Sequence, residues 1–474
     1  MNKLLGSIYE NIKVCVRNNN EISETFISQF GVRQGCILSP FLFTFFINEL
    51  AVQINTNCNY GVQLHPDITQ IFLLLFADDI ALFSSTIKGL QCQINELESY
   101  CNKWKLTVNM SKTKVLVFKN GGHLASKEYW SFKGQKIETT GFYKYLGVYF
   151  SRNLSWHKHL YQAALQARKV FVSIHKSLKV LETISHQSFF KIFDIKILPI
   201  LLYGAEVWGL QHFDAIERIH LYVCKKYLGV KINTSSMVVY GECGRFPFYV
   251  YSNIKVIKYW LRLIDMPSYR LPKKCYNMMI VYDNNGKRNW VTGFFRELLF
   301  SCGFGDIWQN QNVYSKPMFI LSLTQRLKDI YLQSWTASLT LTNKCFYYKM
   351  FKSEIIMEDY LSKVNVKKFR TALSRFRCSS HDLLVETGRY VNIPREERIC
   401  NLCSLNSVED EFHFLLVCPV YLHLREKYLQ AYYYRFPNII KFVTLLSNTK
   451  RSILENVSMF IYYASLYRQN LMKE

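Results

Sequence analysis

Ile71-Phe72-Leu73-Leu74-Leu75-Phe76-Ala77-Asp78-Asp79-Ile80-Ala81-Leu82-Phe83 is the stretch on which the fold turns. Two apolar runs, Ile71–Ala77 and Ile80–Phe83, enclose two adjacent carboxylates. Both runs are rich in strand formers, which predicts a β-hairpin with Asp78 and Asp79 at its tip. A strand interior is a poor place for two anions, whereas a tip can hold them out towards a divalent cation. Mg²⁺ favours carboxylate and phosphate oxygens. Two such ions stabilise both the attacking and the leaving oxygen of a phosphoryl transfer. Asp is also an ordinary turn residue, so the pair alone leaves a plain turn open.

The neighbouring segments narrow the choice. Upstream stands Gly31-Val32-Arg33-Gln34-Gly35-Cys36-Ile37-Leu38-Ser39-Pro40, followed by an apolar helix-like run from Phe41 to Leu50. Downstream come Trp104-Lys105-Leu106, Asn109-Met110-Ser111-Lys112-Thr113-Lys114 and Tyr145-Leu146-Gly147-Val148. In this order and spacing they resemble the palm of a reverse transcriptase of the non-LTR retrotransposon (LINE-like) kind. The resemblance covers residues 1–150 closely and the following stretch more loosely.

That resemblance implies roles. Asp78 and Asp79 would be the catalytic carboxylates, holding Mg²⁺ (or Mn²⁺) against a nucleotide's phosphates and a primer 3′ hydroxyl. Gln34, Gly35 and Ala77 would lie against nucleotide and template. Gly35 is expected to allow close backbone approach where any side chain would collide. Lys112 would neutralise or protonate the leaving pyrophosphate, although it also fits a solvated lysine in a Lys-Thr-Lys run. Tyr145, Leu146 and Gly147 would form the primer grip.

The resemblance also implies something absent. The family's metal site uses a third carboxylate on a strand well before the Gly31–Gly35 segment. The acids before Gly31 are Glu10, Glu21 and Glu24, and none lies in a run like that motif. A chain cut off on its N-terminal side, without fingers or first palm strand, is expected to be inactive alone. A non-catalytic or co-opted nucleic-acid-binding protein is the alternative, and an enzyme completed by another chain is a third.

Composition agrees with a nucleic-acid partner. The 474 residues carry 59 Lys+Arg against 35 Asp+Glu, a formal charge of +24, which suits RNA and DNA. With 49% hydrophobic residues, sizeable cores can form. The longest apolar runs are broken by Asp78-Asp79 or by Lys196 and Pro199, which argues against a membrane span. No signal peptide is apparent, and fourteen scattered Cys fit a reducing compartment. An intracellular site, nuclear or cytoplasmic, is expected.

Residues 7–30 suggest short strands or a helix–hairpin. Ile87, Leu90, Ile94, Leu97, Cys101 and Trp104 have helical spacing over 87–104. Val115–Phe118 and Tyr145–Phe150 suggest strands, with a Gly121-Gly122 turn between. From Ser155 the texture turns helical. Leu160, Ala164, Ala167, Phe171, Ile174 and Leu178 share one sector, whereas His157, Lys158, Arg168, Lys169, Lys176 and Lys179 share another. By the resemblance, Lys158, Arg168, Lys169 and Lys176 would track a nucleic-acid backbone as part of a thumb; an ordinary solvated face is the other possibility.

Cys400, Cys403, His413 and Cys418 are spaced C-x2-C-x9-H-x4-C. Two Cys on a knuckle and a His/Cys pair from about one helical turn can close a tetrahedral Zn²⁺ site with no open position. The arrangement resembles C-terminal zinc-knuckle segments of LINE-like reading frames; four buried core side chains are the plainer possibility. Glu409, Asp410 and Glu411 are expected to give this module an acidic surface. The expected organisation is α+β: a partial right-hand polymerase palm over 1–150, a thumb-like helical region over 151–235, a helical region of unknown role over 236–390, a zinc-knuckle-like module over 391–425 and a helical tail over 426–474.

Overall fold

A computed structural model describes the chain except residues 1, 11, 20, 29–30, 34, 65–69, 120–121, 123–127, 180–183, 210–213, 288, 343 and 474, with backbone alone at 2–5, 178–179 and 290–292. It combines helix and sheet and is mostly helical. The chain divides into two units, Met1–Tyr145 with Tyr149–Ser155, and Leu146–Val148 with Trp156–Glu474.

The first unit opens with α1 (Asn2–Tyr9) and four short strands, β1 (Ile12–Val14), β2 (Arg17–Asn18), β3 (Glu21–Ile22) and β4 (Phe26–Ser28). β1 pairs antiparallel with β4, and β2 with β3. Helix α2 (Ser39–Asn57) has Pro40 in its first turn, where a missing N–H breaks no helical bond. Its Ile47, Leu50 and Ile54 are buried, while Phe41, Phe45 and Val52 stay exposed. Next comes a hairpin, β5 (Leu73–Phe76) and β6 (Asp79–Leu82), in which Leu73 faces Leu82 and Phe76 faces Asp79.

Helix α3 (Ile87–Trp104) has the limits its apolar spacing predicts. Thr86 caps it by accepting from the Gly89 N–H at 3.0 Å, and Lys105 ends it in the left-handed region. Ile94, Leu97, Tyr100 and Cys101 bury against α2 residues to form the unit's core. The Tyr100 hydroxyl donates to the Phe46 carbonyl at 2.6 Å, which ties the two helices together.

The rest of the unit holds β7 (Lys114–Leu116), β8 (Ser131–Phe132), β9 (Gln135–Lys136), β10 (Glu138–Thr140), β11 (Phe142–Tyr145) and β12 (Val148–Ser151). The sequence left the partner of β7 open. β7 pairs with β10, in parallel, with Val115 opposite Thr139. A parallel pair needs a crossover, which a tight turn just after β7 cannot supply. The β8–β9 hairpin lies in that crossover, and its Phe132 is buried beside Trp130. Gly121 of the expected turn lies outside the described residues.

The second unit is helical. It contains α4 (His157–Lys179), α5 (His186–Lys196), α6 (Asp214–Leu228), α7 (Phe248–Asp265), α8 (Lys316–Leu341), α9 (Lys367–Arg377) and α10 (Arg451–Leu471), with further helices between. One core joins residues from Leu160 on α4 to Ala464 on α10. A smaller one gathers around Trp260, Phe295 and Leu323. Within the large core Arg377 is bound to Glu242 through Nε at 2.9 Å and Nη2 at 3.0 Å. It also reaches Glu358 at 2.6 Å and the Leu446 carbonyl at 2.6 Å. Tyr360 donates to the same Glu242 carboxylate at 2.6 Å, so two buried charges are multiply hydrogen-bonded. No helix of the described residues is long and apolar enough to cross a membrane.

Candidate functional site

The β5–β6 hairpin turns on two residues, Ala77 and Asp78. Asp78 therefore occupies the turn and Asp79 the first strand position, rather than both standing at the tip. Both carboxylates are exposed, and so is Ala77. Ala77 takes φ +52, a left-handed conformation that costs an L-residue roughly 1–2 kcal/mol. Strain of this kind persists where surrounding structure enforces it, here the flanking ladder. The Tyr145 phenol is pushed above its ordinary range, first by burial and then by the negative charge of Asp79, so this carboxylate lies within electrostatic reach of Tyr145.

Gly35 has φ +82, and a Cβ built on it meets no atom within 4 Å. The backbone conformation by itself thus favours glycine here, and the open space beside it leaves room for close approach from outside. Gln34 lies outside the described residues. Lys112 is exposed in a turn organised by Asn109, whose carbonyl accepts from the Lys112 N–H at 3.1 Å and whose side chain accepts from Ser111 at 2.7 Å. Tyr143 donates to the Lys112 carbonyl at 3.0 Å, a support with no signal in the sequence.

Leu146 and Gly147 form the turn between β11 and β12, with φ +46 and +83. Two consecutive positive φ values match the twist of a two-residue hairpin. Tyr203, another residue that sequence reasoning passed over, donates to the Leu146 carbonyl at 2.7 Å. A Cβ at residue 147 would lie 2.8 Å from its ring, so glycine is required there on two grounds.

On α4, Leu160, Ala164, Ala167 and Phe171 are buried, as their spacing predicts. Arg168, Lys169 and Lys176 are exposed, while Lys158 is half-buried. The Arg168 guanidinium lies over the Tyr222 ring of α6, 5.5 Å from its centroid. Side chains of Leu178 and Lys179 lie outside the described residues.

Cys400, Cys403, His413 and Cys418 converge, with one ligand atom of each lying within 4.8 Å of all the others. Cys403 Sγ is 3.4 Å from His413 Nε2. Tetrahedral zinc with bonds of about 2.0–2.3 Å places ligand atoms roughly 3.5–3.8 Å apart, so the cluster needs only slight contraction to fit. Two backbone devices build it. Cys400 N–H donates to the Ser407 carbonyl at 2.9 Å, closing the knuckle. His413–Val417 forms one π-helical turn, and Cys418 N–H returns to the His413 carbonyl at 2.8 Å. This wider turn is the one helical turn that brings a His and a Cys five positions apart onto one site. The Cys418 thiol donates to Cys400, which holds the Cys400 thiol well below its ordinary range and pushes Cys418 up. His413 Nδ1 is buried without a hydrogen-bond partner, so the ring lacks the outer support usual for a ligating imidazole.

The acidic surface expected beside this cluster is corrected. Glu409, Asp410 and Glu411 are all buried. Glu409 is bound by Arg468 at 2.6 and 2.7 Å. Asp410 accepts from Tyr347 at 2.8 Å and from the His413 N–H at 3.0 Å, and Glu411 accepts from Ser379 at 2.9 Å. The side-chain partners, Arg468, Tyr347 and Ser379, are remote in sequence, which is why three consecutive acids looked like a solvated run.

Residues 3–150 match the family described as reverse transcriptase (RNA-dependent DNA polymerase). This match and the similar Drosophila transposon polymerases support a reverse transcriptase of the LINE-like, non-LTR retrotransposon kind. It is 25% identical over 224 residues to the RNA-directed DNA polymerase assigned to transposon BS of Drosophila melanogaster, covering 46% of this chain and 24% of that protein. It is 23% identical over 236 residues to the RNA-directed DNA polymerase of mobile element jockey from Drosophila funebris, covering 48% and 25%. A transposon-derived protein of Caenorhabditis elegans is 28% identical over 137 residues, covering 28% of this chain and 48% of that protein. The chain thus spans about a quarter of the length of the two Drosophila relatives.

Proposed function

We propose that this chain is a nucleic-acid-binding portion of a retrotransposon reverse transcriptase that does not extend a primer by itself. The observation that carries it is the Ala77-Asp78-Asp79 hairpin within a matching reverse transcriptase domain. Residues 1–150 act as part of a palm. Asp78 and Asp79 are the Mg²⁺-binding pair, presented to a nucleotide's phosphates from the turn and from the strand position that follows it. Bound Mg²⁺ would neutralise phosphate charge and lower the barrier to phosphoryl transfer. Gln34, Gly35 and Ala77 line the nucleotide and template, Lys112 meets the leaving pyrophosphate, and the Tyr145-Leu146-Gly147 turn holds the primer end. Helix α4 serves as a thumb element, with Lys158, Arg168, Lys169 and Lys176 against backbone phosphates of RNA or DNA.

Two carboxylates supply too little charge to fix two metal ions. Glu10, Glu21 and Glu24 are exposed, and among the described residues β1–β4 pair only with one another, away from the β5–β6 ladder. A two-metal site short of one carboxylate ligand has several kcal/mol less transition-state stabilisation, roughly thousands-fold in rate. The Cys400, Cys403, His413 and Cys418 cluster is a closed structural Zn²⁺ site. The +24 charge also suits a co-opted binding protein in which nothing catalytic is retained.

Primer extension on an RNA template with Mg²⁺ and with Mn²⁺ tests this. No elongation is expected beside clear binding of the template. Elongation that disappears in Asp78→Ala would overturn the inactivity and leave the family role standing.

A further inference from the structure

A cavity of about 630 Å³ lies between α9 and α10 in the second unit, remote in sequence from the hairpin and from α4. Its size falls within the range of about 300–1,000 Å³ common to small-ligand sites. Lys367, Thr371 and Arg375 line it at one-turn spacing on α9, and Tyr462 and Gln469 line it on α10. Its floor is apolar, formed by the buried rings of Phe376 and Phe414, whose centroids are 5.8 Å apart.

The rim is cationic. Lys231, Lys367, Lys368, Arg375 and Arg468 line the cavity against one carboxylate, Asp382. Two of these cations are already matched. Lys231 binds Asp382 at 2.5 Å, and Arg468 binds Glu409. Lys367, Lys368 and Arg375 have no carboxylate partner among the described residues. Lys367 and Lys368 also occupy the first two positions of α9, which has no acidic residue in its first turn and no side-chain cap. Cations at a helix N-terminus oppose the helix dipole, where an anion is favoured. A locally unfavourable arrangement beside an open cavity is accounted for by an anion that binds there. Lys368 Nζ lies 5.1 Å from the Tyr462 ring centroid, so charge and an aromatic face meet at the same edge. Tyr462 is half-buried and keeps part of its ring accessible.

We propose that this cavity binds one nucleotide unit of single-stranded nucleic acid. Its phosphate lies against Lys367, Lys368 and the N-terminus of α9, and its base enters beside Tyr462 over the apolar floor. A cationic edge with an aromatic platform is the arrangement by which single strands are held without sequence preference. The inference rests on the nucleic-acid-binding role above, but it uses different residues from the hairpin and α4.

The test uses the full chain and two fluorescein-labelled 12-nucleotide probes, oligouridylate and its abasic ribose-phosphate counterpart, followed by anisotropy. Lys367→Glu with Lys368→Glu is expected to weaken oligouridylate binding at least about 10-fold and to flatten its salt dependence by roughly one to two units of log–log slope. Tyr462→Ala is expected to weaken oligouridylate about 5- to 10-fold while leaving the abasic probe unchanged. The two lysines are exposed, so that variant keeps the fold if Tyr462→Ala does not. Uridine monophosphate competing equally with either probe would indicate a free-nucleotide site and overturn the single-strand assignment. Lysine reversal without effect, while reversal of Arg168, Lys169 and Lys176 abolishes binding, would overturn the cavity alone. A wild-type chain that binds neither probe would overturn this inference together with the broader nucleic-acid role.

Discussion

His186 illustrates how much one side chain depends on its surroundings. It is buried at the start of α5, its ring 4.7 Å from Phe190 and 4.9 Å from Tyr227, and its Nδ1 has no partner. Burial first, then the charge of Arg245, lowers its pKa from 6.5 to about 4. Between those values the unfolded chain binds more protons than the folded one. Stability from the neutral ring is therefore present above about pH 6.5 and is lost as pH falls towards 4, by about 3 kcal/mol. Chemical unfolding of His186→Leu followed from pH 7 to 4 should show a flatter stability profile than wild type; parallel profiles would contradict this. Arg377 is a second case. Arg377→Met would leave Glu242 buried with its main counter-charge gone, at a cost of about 3–5 kcal/mol in urea unfolding. A loss under 1 kcal/mol would show that Tyr360 alone satisfies the carboxylate. Neither environment was legible in the sequence. His186 meets Tyr227 and Arg245 only through the tertiary fold, and Glu242 finds its partner 135 residues away. The hairpin that carries Asp78 and Asp79 was legible because it is built from immediate neighbours, two apolar runs whose register now sets Phe76 against Asp79.

At the scale of elements, what the sequence discloses depends on whether the pairing is local. Helix α3 was legible to its last residue, since amphipathic spacing, the Thr86 cap and the left-handed Lys105 all sit within one stretch. The partner of β7 was not, because β10 joins it only after a crossover that has its own hairpin. The π-turn at His413–Val417 was hidden too, since a His and a Cys five apart read equally well as an α-turn. Helix α4 shows what local pattern can support. Its buried stripe of Leu160, Ala164, Ala167 and Phe171 leaves Arg168, Lys169 and Lys176 outside. Reversing those three charges should weaken binding of unrelated RNA sequences alike and reduce the slope of log affinity against log salt by about 2–3. Arg168 also rests on Tyr222, so its reversal is expected to disturb packing with α6 slightly. Titration of mutant and wild type across salt separates the two effects, since only the electrostatic one changes slope. Unchanged affinity and slope would remove α4 from the nucleic-acid surface.

For the molecule as a whole, the decisive point is where the Cys3His cluster sits. A segment of some thirty residues standing alone would bury little apolar surface and draw much of its folding energy from the metal. Here Cys400, Phe414, Leu415, Leu416, Cys418 and Tyr421 belong to the same core as Leu160 on α4 and Phe460 on α10. Glu409 and Asp410 add ties to Arg468 and Tyr347 from the other side. Strain at the cluster is therefore passed into the surrounding helices, because close-packed interiors have little room to absorb it. The full chain should take up about one equivalent of zinc. Chelation, or Cys403→Ser, should lower the melting of residues 156–474 as one cooperative transition. Hydrogen exchange should then accelerate around 400–421 and also around Phe376 and Phe460, which pack against Phe414. Loss of protection confined to 400–421, with the remaining core unchanged, would mean that the segment melts independently despite its shared core. No zinc uptake would return the three thiols and the imidazole to plain core residues, and the π-turn would then need a packing explanation of its own.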